Sequence, residues 1–444
     1  MTKRNLILSI ILVFTFSSLL LFTSLKLKDN RPNVILIMAD DMGIECLSSY
    51  GSLSYQTPVL DSLANRGIRF THAVSQPLCT PSRVKIMTGK YNFRNYEYFG
   101  YLNPNQKTFG HLFQNAGYKT CIAGKWQLNG IYHDLEGNQD KNRPYQFGFD
   151  EYCLWQLTKN KQKGERYAKP LIEENGEEKR YGIDDYGPDI FTNYILDYIE
   201  RNKKHPFFIY YPMVLVHDPF VPTPDSPEWK DSTRRYENDT AYFADMMSYT
   251  DRIIGKIADK LKESGLDKNT LFIFTADNGT HRSIVTMTNE GPYPGGKGMT
   301  IDAGTRVPMV AYWPEYFKKS MVYDPLIEFS DFYATFSDML NQHESSDGKS
   351  FYPLLKNQKY QPRKTAFVHY DPQWGKWVNQ FAGRFVRTIR YKLYNNGFFY
   401  HLESDPREEK PLRNEDLTKE EVTIRNNLQK ILENKPVWEK TVEN

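Results

Sequence analysis

The chain has 444 residues, enough for one large domain and a smaller companion, with 40% hydrophobic and 25% charged residues in an ordinary globular balance. A net charge of +3 supplies no concentrated basic face, which argues against nucleic acid as a partner. The 31 tyrosines, 27 phenylalanines and 7 tryptophans suit a sugar-facing cleft and a packed core alike.

In chain order, residues 1–30 stand apart from the rest. Lys3 and Arg4 precede an apolar run of roughly 17 residues, Leu6 to Phe22, which Lys26, Lys28 and Asp29 close. This reads as a secretory signal or, since no small-x-small cleavage site follows, an uncleaved anchor that would be the only membrane contact. Either way the folded part is expected outside the cytoplasm, periplasmic or secreted. The four cysteines Cys46, Cys79, Cys121 and Cys153 would then form two disulfides, because no C-x-x-C pair suggests zinc.

Four later stretches repeat one pattern, a short apolar run ending in polar residues. Val34 to Met38 leads to Asp40-Asp41, and Thr120 to Ala123 to Gly124-Lys125. Phe207 to Val216 leads to His217-Asp218, and Leu271 to Phe274 to Asp277-Asn278. Such runs read as strands buried on both faces. Helical patterns alternate with them at Thr57 to Arg66, Ser82 to Tyr91, Thr108 to Ala116, Phe191 to Asn202 and Ala241 to Ser264. The fold class is therefore α/β, a large doubly wound, mixed or parallel sheet flanked by helices, occupying 31–342. After Asn341 the texture turns polar. The β-like pieces Thr365 to His369, Phe385 to Leu393 and Phe398 to Leu402, then a helical tail Thr418 to Asn434, predict a smaller α+β domain over 343–444.

Doubly wound sheets bind ligands at the carboxyl ends of their strands, so the polar residues that end these runs would converge on one site. Asp40, Asp41, Asp277 and Asn278 are hard oxygen donors, and three clustered carboxylates call for a cation, Ca²⁺ or Mg²⁺ rather than Zn²⁺. In "LCTPSRVKIMTG", Pro81 suits a first helical turn, which sets Cys79 at a helix N-terminus with Arg83 one turn in. A helix N-terminus favours an anion, so the site suits a tetrahedral oxyanion ester.

These segments resemble the formylglycine-dependent sulfatases of the alkaline phosphatase-like superfamily. C-T-P-S-R-V-K-I-M-T-G is similar to that family's C-x-P-S-R…T-G signature, with Met87 in place of the usual leucine. "RPNVILIMADDMG", "GYKTCIAGKWQL", "FTADNG" and "GGKGMTIDAGTRVP" resemble further family segments in the same order, over Arg31 to Trp313. A weaker echo lies in "TIRYKLY" and "FYHLESDPRE". The resemblance implies that a separate formylglycine-generating maturation enzyme oxidises Cys79, and that the hydrated aldehyde attacks sulfur in a two-step covalent hydrolysis. It implies Asp40, Asp41, Asp277, Asn278 and the modified Cys79 as metal ligands. Arg83 and Lys125 would hold the diol, Lys297 a sulfate oxygen, and His217 or Lys297 would protonate the departing alcohol.

One departure stands out. Gln127 occupies the place of a family histidine that helps to deprotonate the diol, and an amide orients a hydroxyl but takes up no proton at neutral pH. His281, a metal-bound carboxylate or impaired turnover are the alternatives, with His281 preferred. The implied substrate is a sulfate ester. Export, together with "HYDPQWGKWVNQFAGRFVR" and its His369, Asp371, Trp374 and Arg384, points to a sulfated glycan. The rival readings are a phosphodiester or phosphonate hydrolase of the same superfamily, and a catalytically weak sulfated-glycan binder.

Overall fold

The computed structural model describes residues 30–158, 166–373 and 383–436. Its strands are β1 (Asn33–Ala39), β2 (Ile68–Val74), β3 (Lys119–Lys125), β4 (Glu151–Trp155), β5 (Leu171–Glu174), β6 (Glu177–Arg180), β7 (Phe207–Pro212) and β8 (Thr270–Ala276). A hairpin of β9 (Val285–Thr288) and β10 (Gly291–Pro294) follows, then β11 (Arg306–Tyr312) and β12 (Met321–Glu328). The apolar runs of β1, β7 and β8 are buried along their whole length, as strands covered on both faces must be.

Ten strands form one mixed sheet in the order β12-β2-β11-β8-β1-β7-β3-β4-β5-β6. The five central strands β8-β1-β7-β3-β4 are parallel, so their carboxyl ends share one edge. Antiparallel β11 and the β5–β6 hairpin make the sheet mixed. Helices α1 (Pro58–Ala64), α2 (Cys79–Thr88), α3 (Phe109–Asn115), α4 (Gly187–Asn202), α5 (Tyr242–Glu263) and α6 (Ser330–Met339) flank it. Helix α5 packs on α1 and α4, and α6 on α2 and α3, the two groups that a doubly wound sheet requires. Phe113 stacks on Phe208 with centroids 4.0 Å apart, and Phe109 and Phe336 close the same cluster. Each such buried ring contributes about 1.5–3 kcal/mol by leaving water.

Beyond α6, β13 (Ala366–Tyr370), β14 (Gly383–Arg387), β15 (Tyr391–Tyr394) and β16 (Phe399–His401) form an antiparallel sheet covered by α7 (Lys419–Glu433). Buried polar contacts tie this sheet to the large unit. Arg387 pairs with Asp302 at 2.5 Å, Lys392 donates to the Thr300 carbonyl, and Lys85 of α2 donates to the Phe367 carbonyl at 3.1 Å.

Three expectations are corrected. The strand expected over Phe207 to Val216 stops at Pro212, where the chain leaves the sheet and turns, His217 N–H donating to the Val214 carbonyl. The single piece expected over Phe385 to Leu393 is a hairpin, β14 and β15, whose turn closes through Thr388 and Tyr391. The expected disulfides are absent: Cys46, Cys79, Cys121 and Cys153 are buried and unpaired, Cys121 and Cys153 lying on the neighbouring core strands β3 and β4. Among the described residues no helix is long and apolar enough to cross a membrane, and the run Leu6 to Phe22 lies outside them.

Candidate active site

The parallel register of β1 and β8 sets Ala39 beside Ala276, so the acids that follow them are neighbours. The Asp277 N–H donates to the Ala39 carbonyl at 3.0 Å, and the Asp41 N–H to Asp277 Oδ1 at 3.0 Å. Asn278 Nδ2 donates to Asp41 Oδ1 at 2.9 Å. Asp41 adopts a left-handed φ of 61°, rare for a residue with a side chain, and this turns its carboxylate back into the cluster.

Three further elements bring cations. Lys125, the last residue of β3, contacts Asp40 Oδ2 at 2.7 Å. Arg83, one turn into α2, donates to Asp277 Oδ2 at 3.2 Å and to the Lys125 carbonyl at 3.1 Å. Lys297, in the glycine-rich loop after β10, contacts Asp41 Oδ2 at 2.5 Å and His217 Nε2 at 3.0 Å. The other nitrogen of His217 lies 2.6 Å from the Asp218 carbonyl, which requires Nδ1–H and leaves Nε2 to accept from the Lys297 ammonium. Ser82 donates to the Asp277 carbonyl at 2.5 Å, which gives the serine of C-T-P-S-R its place.

Cys79 is the first residue of α2, N-capped by extended Leu78, and its buried Sγ donates to Gln127 Oε1 at 3.3 Å. The helix begins three residues earlier than expected and stops at Thr88, because Gly89 takes a left-handed φ of 67° as its cap.

Charge is crowded here. Burial opposes ionisation of Asp40, yet Lys125, His217 and Arg83 hold its carboxyl far below the usual range. Burial, then the Asp40 charge, pushes Asp277 up to about 8 despite Arg83 and Lys125. Burial lowers His217 to about 4, so its ring is neutral at pH 7. Burial also raises the Cys79 thiol, which makes it a poor thiolate nucleophile.

The residues fit a hard divalent cation. Asp40 Oδ1 and Asn278 Oδ1 are buried oxygens without a hydrogen-bond partner, in a set otherwise made of carboxylates. One ligand atom from each of Asp40, Asp41 and His217 also lies within 4.8 Å of the others.

The other expected residues are placed as follows. His281 follows the Asp277-Asn278 pair, its ring edge-on to Phe220 and its Nδ1 2.8 Å from Ser283 Oγ. His369 is buried at the end of β13, accepting from Arg384 Nε at 2.9 Å, and Arg384 also donates to the Pro436 carbonyl. Asp371 accepts from Gln373 Nε2 at 2.7 Å, just beyond Tyr370, which packs in one apolar cluster with Cys79 and Phe99. Trp374 lies outside the described residues.

Sequence reasoning missed Arg166. Its buried guanidinium lies 4.1 Å over the Trp155 ring and 3.9 Å from Asp40 Oδ2. No strand-end pattern precedes it, so nothing in the sequence marks it. Tyr132, which accepts from Gln127 Nε2, was missed as well.

Fold and site together define a class: a hydrolase of anionic esters, with an acidic cluster that could hold a metal ion at the carboxyl edge of a doubly wound sheet. The Sulfatase family model matches residues 32–342, and a model for the C-terminal part of N-sulphoglucosamine sulphohydrolase matches 296–436. The chain belongs to the sulfatase family and is a sulfuric ester hydrolase. It is 26% identical to Arylsulfatase H of Homo sapiens over 455 residues, covering 82% of this chain and 77% of that protein. It is 27% identical to N-acetylgalactosamine-6-sulfatase of Homo sapiens over 397 residues, covering 80% and 71%. The solved structure of BT4656 in complex with its substrate D-glucosamine-2-N,6-O-disulfate superimposes with a TM-score of 0.70 at 23% identity, covering 91% of this chain and 97% of that one.

Proposed function

We propose that this sulfatase is exported and removes sulfate from a sulfated polysaccharide or oligosaccharide, using residue 79 as formylglycine and a bound Ca²⁺, with Mg²⁺ as the alternative ion. The observation that carries the reading is the meeting of Cys79, at the start of α2, with carboxylates from two strand ends and cations from three elements. The similarity to a human N-acetylgalactosamine-6-sulfatase supports a saccharide substrate.

Asp40, Asp41, Asp277, Asn278 and residue 79 would hold the ion. The ion supplies Lewis acidity, and residue 79, once converted and hydrated, supplies a nucleophilic hydroxyl. Arg83 and Lys125 offset negative charge around that residue and fix Asp277 and Asp40. Lys297 meets a sulfate oxygen. The Lys297–His217 pair carries one proton between Nζ and Nε2 and delivers it to the departing alcohol oxygen. His281 takes the proton from residue 79 that Gln127 has no capacity to accept. In this reading 343–444 is a smaller domain that contributes Asp371 and its neighbours to the substrate cleft.

The test is sulfate release by protein co-produced with a formylglycine-generating enzyme. Sulfated saccharides, 4-nitrophenyl sulfate, and phosphodiester and phosphonate analogues are assayed side by side. Release from at least one saccharide, exceeding turnover of the phosphorus esters, is expected. Preference for a phosphorus ester, or silence toward every sulfate ester, rejects the proposal. In the same assay His281→Ala loses turnover, and unchanged turnover removes His281 from its role.

A further inference from the structure

Gln127 and Gln156 follow the paired strands β3 and β4, and the Gln127 N–H donates to the Gln156 carbonyl at 3.2 Å. Both adopt left-handed φ angles, 55° and 61°, although neither is glycine, and each side chain is about 5% exposed. Backbone strain of this kind persists where the surroundings demand it, and here both side chains are aimed at one atom. Gln127 Nε2 donates to Tyr132 Oη at 3.0 Å, and Gln156 Nε2 donates to the same oxygen at 2.7 Å.

Tyr132 is itself held. Its ring packs on Phe99 with centroids 5.5 Å apart and lies where a Cβ on Gly100 would sit, 2.5 Å from Tyr132 Cδ2. The Gly100 N–H donates to Thr80 Oγ1 at 3.1 Å, so the phenol is referenced to the first turn of α2, next to Cys79.

An amide has a donor end and an acceptor end. With the donor end of Gln127 committed to Tyr132, its acceptor end is presented to residue 79, where Sγ donates at 3.3 Å. The geometry points to Tyr132 as a positioning residue: seated by Gln156, it locks the Gln127 amide with its carbonyl oxygen toward residue 79. A hydroxyl formed at residue 79 therefore meets a fixed acceptor. Without the phenol oxygen, both amides lose the bond to it, and the Gln127 amide can turn its N–H toward that hydroxyl. This assignment rests on the sulfatase reading of residue 79 above.

The experiment compares wild type, Tyr132→Phe, Gln127→Leu and the double variant, all matured at residue 79. Tyr132→Phe is expected to lower kcat about 10-fold or more with KM changed less than about twofold. The double variant is expected to match Gln127→Leu, because both changes remove one coupled unit. Independently of activity, the ¹⁵N side-chain amide signal of Gln127 in unconverted protein, assigned by its loss in Gln127→Leu, is expected to shift and exchange faster in Tyr132→Phe. The assignment is overturned by an unchanged amide signal, by a kcat for Tyr132→Phe within about twofold of wild type, or by penalties that multiply in the double variant. A matured wild type silent on every sulfate ester rejects the sulfatase reading and this assignment together. An active wild type beside an unaffected Tyr132→Phe rejects the assignment alone.

Discussion

Asp40 and Asp277 lie beside the same Arg83 guanidinium, 3.9 and 3.2 Å away, yet burial and neighbours drive their pKa values in opposite directions. Lys125, in direct contact with Asp40, and His217 favour the charged form of Asp40, and the charge of Asp40 in turn opposes ionisation of Asp277. Glu45 gives a cleaner test of the same physics away from the ligands. Its carboxyl is buried, donated to by Thr280 at 2.5 Å, and pushed by burial up to about 7 from 4.5. A raised carboxyl favours folding below pH 4.5 and loses that advantage as pH climbs through 7. Glu45→Gln is therefore expected to stabilise the protein by about 2–4 kcal/mol at pH 8.5 and to change little at pH 4.5, in denaturant unfolding at both values. Equal effects at both pH values would show that Glu45 is not held protonated. Asp40, Asp41, Asp277 and Asn278 were legible because strand-end acids repeat a visible pattern. Arg166 and Tyr132 were not, since each reaches the site from an irregular loop whose path no periodicity encodes.

At the scale of elements, the loop between β10 and β11 carries Lys297 and is anchored from outside the large sheet. Asp302 at its far end pairs with buried Arg387 of β14, the Thr300 carbonyl accepts from Lys392, and Tyr394 Oη lies 3.1 Å from Thr300 Oγ1. Arg387→Ala strands a buried carboxylate and is expected to cost about 3–5 kcal/mol. Thermal unfolding reads this directly, and a midpoint within a degree or so of wild type would mean the pair carries no such load. Buried parallel strands were readable because their runs are uniformly apolar. β2, with its half-buried Arg69, Thr71 and His72, lacks that signature, and the apolar run of β11 is interrupted by Pro308, a residue unfavourable within a sheet. The overlong strand at Phe207 to Val216 has the same root: Met213 to Val216 are fully buried, so composition alone leaves the exit at Pro212 unmarked.

For the whole molecule, a cation bound by folded ligands from β1 and β8 should stabilise the native state by mass action. Dialysis against a chelator is expected to lower the thermal midpoint, and added Ca²⁺ to restore it. At free ion about 1,000-fold above Kd the difference is about 4 kcal/mol. A midpoint indifferent to chelator and Ca²⁺ would remove the metal from the account. The α/β architecture was open to reading at this scale, and the absence of disulfides was not. Cysteine content in an exported chain suggests pairing, whereas Cys121 and Cys153 behave as small apolar core residues.

The account turns on the side chain at position 79. The most direct measurement is the mass of the peptide spanning Cys79, taken from protein that releases sulfate. The expected mass is that of the aldehyde, with sulfur and two hydrogens replaced by one oxygen. An unmodified cysteine there in fully active protein, or a disulfide from it to Cys46, Cys121 or Cys153, would contradict the account.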